Sequence, residues 1–406
     1  MSTATLTAKD KIITFFENRN FKDNSSLRAE GKEVLKNLQV PDKKSEAWKY
    51  TNTNFLLKND YSSAKQISGK EDLSSLVLSA DHENYFVVNG YLVNDPANKI
   101  IQNIISSDSH HISEISKNFF TALNAEKFTG GTMVNISDNK KSEKIIHIVH
   151  LATDNQFSNT RHHIRIGKNA GAEIILSFHS SGENTFSNFV TEIECEENSS
   201  LTIHLLQQEG KNAAQYNHIY CLQKNNSRFS INTFTNGGEW VRNDLDIIVN
   251  GENCETHLNG LYLPKEKQYI DNHTFVDHKK PNCISNEMYK GVMSDESTGV
   301  FNGKVFVRPD AQKINAYQQN ANILLSDNAT INSKPELEIY ADNVKCSHGS
   351  TTGQLDEEAL FYLRSRGVGE ENARKLLVHA FVNEVIERNS NEELRNYLYK
   401  QTGLEN

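Results

Sequence analysis

The residues best placed to do chemistry lie in VKCSHGSTTG, where Cys346 and His348 stand two positions apart. On an extended strand, residues i and i+2 project from one face about 6.5–7 Å apart, so a thiol and an imidazole would share a surface. Both are ligands for iron or zinc. A closed metal or cluster centre needs about four protein ligands, and this segment offers two; a metal here would need a second chain or a distant loop to complete it. Two ordinary roles compete with that reading. A single cysteine commonly serves as a small buried apolar residue, and a single histidine as a hydrogen-bonded one. The remaining cysteines, Cys195, Cys221, Cys254 and Cys283, bring the total to an odd five without a CxxC pair, which predicts reduced thiols and no self-contained zinc site. His162, His163, His257, His273 and His278 follow no ligand spacing and are expected to be structural or exposed.

Other chemistries are argued against by what the sequence lacks. No Gly-Lys is followed by Ser or Thr, so there is no loop of the kind that cradles a nucleotide phosphate, and any use of ATP must come from a partner. H-E-x-x-H and G-x-S-x-G are missing, and Gly367-Val368-Gly369 has no preceding strand to make it a dinucleotide fingerprint. A glycan-processing site would want paired carboxylates on one face, whereas Glu196 and Glu197 fall at a turn. A net charge of −9 and the lack of a Lys/Arg block oppose binding to nucleic acid. No run approaches the roughly 18–20 apolar residues of a membrane span, and MSTATLTAKDK lacks the order of a signal peptide, so a cytoplasmic protein is expected.

At 406 residues the chain exceeds the size at which one globular core stops growing, about 250–300 residues. It begins with helical spacing: Ile12, Phe15 and Phe16 share one face, Leu27, Val34, Leu35 and Leu38 another, and Pro41 ends the second helix. PDKKSEAWKYTN then gathers Trp48 and Tyr50 among charges, which reads as a packing anchor. From about residue 145 to 345 short β-branched runs alternate with Gly, Asn and Ser punctuation. The runs beginning at Ala172, Ser200 and Arg228 start 28 residues apart, with a second strand inside each period. Such a period marks a repeat in which each unit buries its face on its neighbours, so a β-solenoid is expected, with an evenly spaced β-sandwich as the alternative. After residue 350 the period turns helical. Asp356 is placed to cap a helix and Gly367 to end it; a second helix carries Ala373, Leu376, Leu377, Ala380 and Phe381 on one stripe, and NEELRNYLYK forms a third.

Gln319 to Val368, and within it KPELEIYADNVKCSHG, closely resembles the C-terminal signature of the SufB/SufD family of iron–sulfur cluster assembly scaffolds, in its SufD form. The spacing of Glu46, Trp48 and Tyr50 is similar to an N-terminal motif of the same branch. The resemblance implies a mainly β fold: a right-handed parallel β-helix core over 141–350, between an N-terminal helical or mixed domain over 1–140 and a C-terminal helical domain over 351–406. It implies a non-catalytic scaffold that pairs with a SufB-like sister, binds a SufC-like ABC ATPase and receives sulfur indirectly from a cysteine desulfurase; the isolated chain could pair with itself. It further implies that His348, with Cys346 beside it, is a ligand for iron or a transient iron–sulfur cluster at the interface between the sisters. Nothing in the sequence selects a flavin. The ATPase contact is expected on the C-terminal helices around Leu376, Leu377 and Phe381, with Gly349 to Gly353 as a hinge. Two alternatives remain at this point: a SufB-type subunit that accepts sulfur, and a β-solenoid binding protein with no metal role.

Overall fold

A computed structural model describes residues 8–15, 26–66, 73–93, 100–104, 118–153 and 155–403; Phe16 lies outside them. Two ten-stranded sheets face each other through eight stacked turns of a β-solenoid. In the first sheet the turns contribute Gly130–Ile136, Gln156–Ile166, Thr185–Cys195, Ala213–Gln223, Trp240–Val249, Tyr269–His278, Thr298–Val307 and Thr330–Ile339. The second holds Ile146–Ala152, Gly171–Ser180, Ser200–Gln207, Arg228–Thr235, Glu255–Tyr262, Ile284–Met293, Ile314–Leu324 and Val344–Gly353. Every neighbouring pair among these strands is parallel, as with Leu201, which stands between Ala172 and Phe229. Parallel ladders throughout exclude the sandwich alternative, whose sheets are antiparallel. The sequence period is thus the length of one turn.

Strands buried on both faces read as near-continuous apolar runs. Their inward residues, among them Ile148, Ile174, Ile193, Ile203, Ile219 and Ile231, stack into one continuous core. The corners are made by asparagine. Asn139, Asn169, Asn198, Asn226, Asn253 and Asn282 all hold positive φ, between 54° and 62°, a region this side chain tolerates better than most. Their amides stack from turn to turn, Asn169 donating to Asn139 at 2.9 Å and Asn198 to Asn169 at 3.0 Å.

Helices α1 (Ala8–Thr14), α2 (Ser26–Asn37), α3 (Phe55–Lys58) and α4 (Phe119–Lys127) belong to the N-terminal segment. This segment covers the outside of the first sheet: Ile12, Leu35, Trp48, Leu56, Tyr61 and Phe120 pack with Phe157, Phe186, Tyr216 and Trp240. Trp48 is an anchor over long range. The Arg242 guanidinium lies 3.8 Å from its ring centroid and is fully buried between Asp244 and Asp271, 2.9 Å from each. The C-terminal helices α5 (Glu357–Ser365), α6 (Glu370–Ile386) and α7 (Glu392–Thr402) follow the last strand. Asp356 caps α5, accepting from the N–H groups of Glu358 at 2.9 Å and Ala359 at 3.1 Å, and Gly367 beyond it takes φ +89°. Val378, Val382, Val385 and Ile386 of α6, with Leu394 and Leu398 of α7, lie on Ile175, Leu206, Phe234, Leu261, Met288 and Val292 outside the second sheet.

Candidate functional site: the open end of the solenoid

The last strands of the two sheets, Thr330–Ile339 and Val344–Gly353, each have a neighbour on one side only. Among the described residues no further turn covers their inward faces. Register identifies those faces. Cys346, His348 and Ser350 stand over Ala316, Gln318 and Asn320, which are buried, while the intervening Tyr317 is 46 % exposed on the outer side. Cys346 and His348 therefore belong to the interior column of the solenoid, laid bare at its end. Cys346 is half-buried and packs on the core; His348 is exposed. Burial pushes the Cys346 thiol up, so it carries its proton at neutral pH.

Around this pair the end is polar. Ser333 donates to Asn320 at 2.7 Å and meets the Ser350 hydroxyl at 2.8 Å, tying the two last strands together across the interior. Below His348 lies Gln318, whose amide donates at 2.7 Å to Glu287 one turn further in, and Thr274 donates to the same carboxyl from the opposite sheet at 2.5 Å. A β-carbon at Gly303 would come within 2.2 Å of the Gln318 amide, so the missing side chain makes room for this column. Desolvation pushes the Glu287 carboxyl up to about 7. His348 also borders an open cleft of about 390 Å³ along these strands, lined with it by Glu287, Tyr317, Gln318, Gln319 and Arg388.

Among the described residues no group of three or more His, Cys, Asp and Glu is arranged to hold a metal ion. The structure brings together two donor side chains on one exposed face, and a metal bound there would take its other ligands from outside this chain. Glu287 and Gln318 gave no signal in the sequence, because their inward parity is visible only once the register of the turns is known. Most of the other histidines have structural partners: His162 lies 3.0 Å from His150 and 2.8 Å from Thr132, His163 contacts Glu194 at 3.0 Å, and His278 contacts Ser285 at 2.9 Å. Gly349 to Gly353, read as a hinge, form the second half of the final strand.

The stripe expected on α6 divides in the structure. Ala373 is buried and Leu377 and Phe381 pack partly on the second sheet, whereas Leu376 is 40 % exposed. The larger apolar exposure is on α5, at Phe361 (73 %) and Tyr362 (57 %). Among the described residues no helix is long and apolar enough to cross a membrane.

Residues 149–381 match the profile of the SUF-system iron–sulfur cluster assembly SufBD core domain. The iron–sulfur cluster assembly protein SufD of Escherichia coli is 27 % identical over 90 % of this chain and 89 % of its own length. A SufBD-family iron–sulfur cluster assembly protein of Synechocystis is 29 % identical over 88 % of this chain and 85 % of its own. Another from Mycobacterium leprae is 37 % identical over 41 % of this chain and 44 % of its own.

Proposed function

This chain belongs to the SufBD family of iron–sulfur cluster assembly proteins and is a homologue of SufD; from that premise we propose that it is a scaffold subunit that pairs through the open end of its solenoid with a SufB-like sister. The observation that carries the proposal is the uncovered terminal turn. Two strand edges, each bonded to a neighbour on one side only, and an exposed interior face form a template on which another chain can pair. Cys346 and His348 stand on that face, so the joint between the sisters would hold their donor atoms next to whatever ligands the sister supplies. Iron or a nascent cluster is then the cargo of the joint. Imidazole and thiolate suit iron in either form.

The second contact in the proposal is an ATPase of the SufC kind, seated on α5 and the outer side of α6. Phe361, Tyr362 and Leu376 offer it an apolar anchor, and aromatic side chains of this exposure are the usual energetic centre of a protein interface. Nucleotide-driven movement of the ATPase would reach the site through the last strand, which runs from Cys346 and His348 into α5.

The test is co-expression of this chain with its sister and the ATPase, followed by purification through a tag on this chain. Both partners should co-purify. His348→Ala should retain both partners and the parent melting temperature while the complex fails to mature clusters in cells; a variant that loses stability instead would make His348 a structural residue.

A further inference from the structure

Cys254 and Cys283 play no part in the site above, and both are buried, at 1 % and 0 % exposure. Each directly follows a left-handed corner asparagine, Asn253 and Asn282, and directly precedes a strand of the second sheet. Glu255 pairs with Ile284 in register, and the Ile284 N–H donates to the Cys254 carbonyl at 2.9 Å. The two cysteines are therefore consecutive rungs of one column. Rungs of a β-sheet lie about 4.8 Å apart, within the Cα separation of about 4.4–6.8 Å that a disulfide spans. The sulfurs also converge: both lie within reach of the carbonyl oxygen of Gly251, Cys254 at 3.3 Å and Cys283 at 3.2 Å, with the Lys224 carbonyl nearer still to Cys254 at 3.1 Å, and the Cys254 N–H points at the Cys283 sulfur at 3.4 Å.

We propose that Cys254 and Cys283 are a peroxide-responsive thiol pair that closes to a disulfide joining adjacent turns of the solenoid. The neighbouring Cys283 side chain and Ser227 hold the Cys254 thiol below the ordinary thiol range, whereas the Cys254 sulfur and burial push Cys283 up. Either sulfur can take the first oxygen; with Cys254 as the nucleophile, Cys283 resolves. The Cys254 thiolate attacks one oxygen of hydrogen peroxide, the O–O bond breaks, and the departing hydroxide takes a proton to leave as water, with sulfenic acid on Cys254. Cys283 then attacks that sulfur, the S–O bond breaks, and its proton leaves with the hydroxyl as a second water. Two thiols are oxidised and one peroxide is reduced. Peroxide is close to water in size, and the pair lies directly beneath the corner residues Glu252, Asn253 and Asn282, which are exposed. Another buried thiol provides the contrast: desolvation holds Cys221 well above the ordinary range beside Cys195.

The experiment treats the reduced full-length protein with a small excess of hydrogen peroxide under native conditions, alkylates the remaining thiols and maps cross-linked peptides by mass spectrometry. A Cys254–Cys283 linkage should accumulate first, at a rate independent of protein concentration. Cys195→Ser should leave it unchanged, and Cys254→Ser should abolish it. Free thiols at both positions after Cys346 has been oxidised would overturn the proposal. So would a Cys195–Cys221 linkage in their place, or sulfonic acid on Cys254 with Cys283 still free.

Discussion

Glu287 shows how a single side chain in the solenoid interior makes stability depend on pH. Its carboxyl is enclosed by Thr274 and Gln318, and desolvation holds its proton up to about 7. The unfolded chain gives up that proton near its ordinary value, so between the two values the folded state binds more protons, and stability falls as pH rises until the folded carboxyl has ionised. Glu287→Gln removes the titration and nearly preserves the shape. The variant should gain on the parent as pH rises from 5 to 8, by about 1–3 kcal/mol, read by urea unfolding at the two pH values. A constant difference would mean that the carboxyl titrates normally. Glu209, which desolvation pushes up to about 8, titrates in both proteins and cancels. At this scale the sequence was half legible. That Cys346 and His348 share a face follows from strand parity alone, but which face it is, and that Glu287 lies inside, requires a register that one residue of slippage would reverse.

The repeating element is the turn, and its most regular part is the corner. Each left-handed residue there donates its N–H to the carbonyl of the next turn, from Asn139 to Lys168 at 2.7 Å through Asn282 to Gln312 at 2.9 Å. In the seventh position of this column stands Lys313, at φ +59°, donating to Asn343 in the same way. Lysine has no short amide to ease that conformation, so it bears a cost that asparagine reduces. Lys313→Asn should therefore stabilise the protein by about 0.5–1 kcal/mol, measured as a higher urea midpoint at unchanged slope. An unchanged or lower midpoint would show that the lysine stem repays the cost elsewhere. The sequence displayed these asparagines as punctuation and the 28-residue spacing as a period, which was enough for the solenoid. It did not disclose which stripe of α6 turns inward. That helix has apolar residues on more than one side, and the choice between the stripe of Leu376 and that of Val378, Val382 and Val385 is made by the sheet beneath it.

For the whole molecule, the C-terminal helices are part of the solenoid's wall, a placement their helical period could not reveal. Ile175, Leu206, Phe234, Leu261, Met288 and Val292 point outward from the second sheet and are covered by α6 and α7. Burying a side chain of this kind is worth about 1.5–3 kcal/mol, so uncovering six of them forfeits on the order of 10 kcal/mol. That is the scale of the whole stability of an ordinary domain, about 5–15 kcal/mol. A chain ending at Gly353 should consequently be insoluble or associate through the exposed sheet, and its failure to hold an ATPase would say nothing about where the ATPase docks. The informative change leaves the wall in place. Phe361 and Tyr362 stand on α5, where the buried side chain is Leu360, so Phe361→Ala with Tyr362→Ala removes exposed aromatic surface and no packing against the sheet. The full-length double variant should stay soluble, melt within about 2 °C of the parent and still pair with its sister, since surface changes away from packed features usually stay within about 0.5 kcal/mol. Its retention of the ATPase in the tagged purification should fall at least about ten-fold, as expected when the aromatic centre of an interface is removed. Full retention would place the ATPase on another face, and a soluble, monomeric product from the chain ending at Gly353 would show that the second sheet does not need its helical cover.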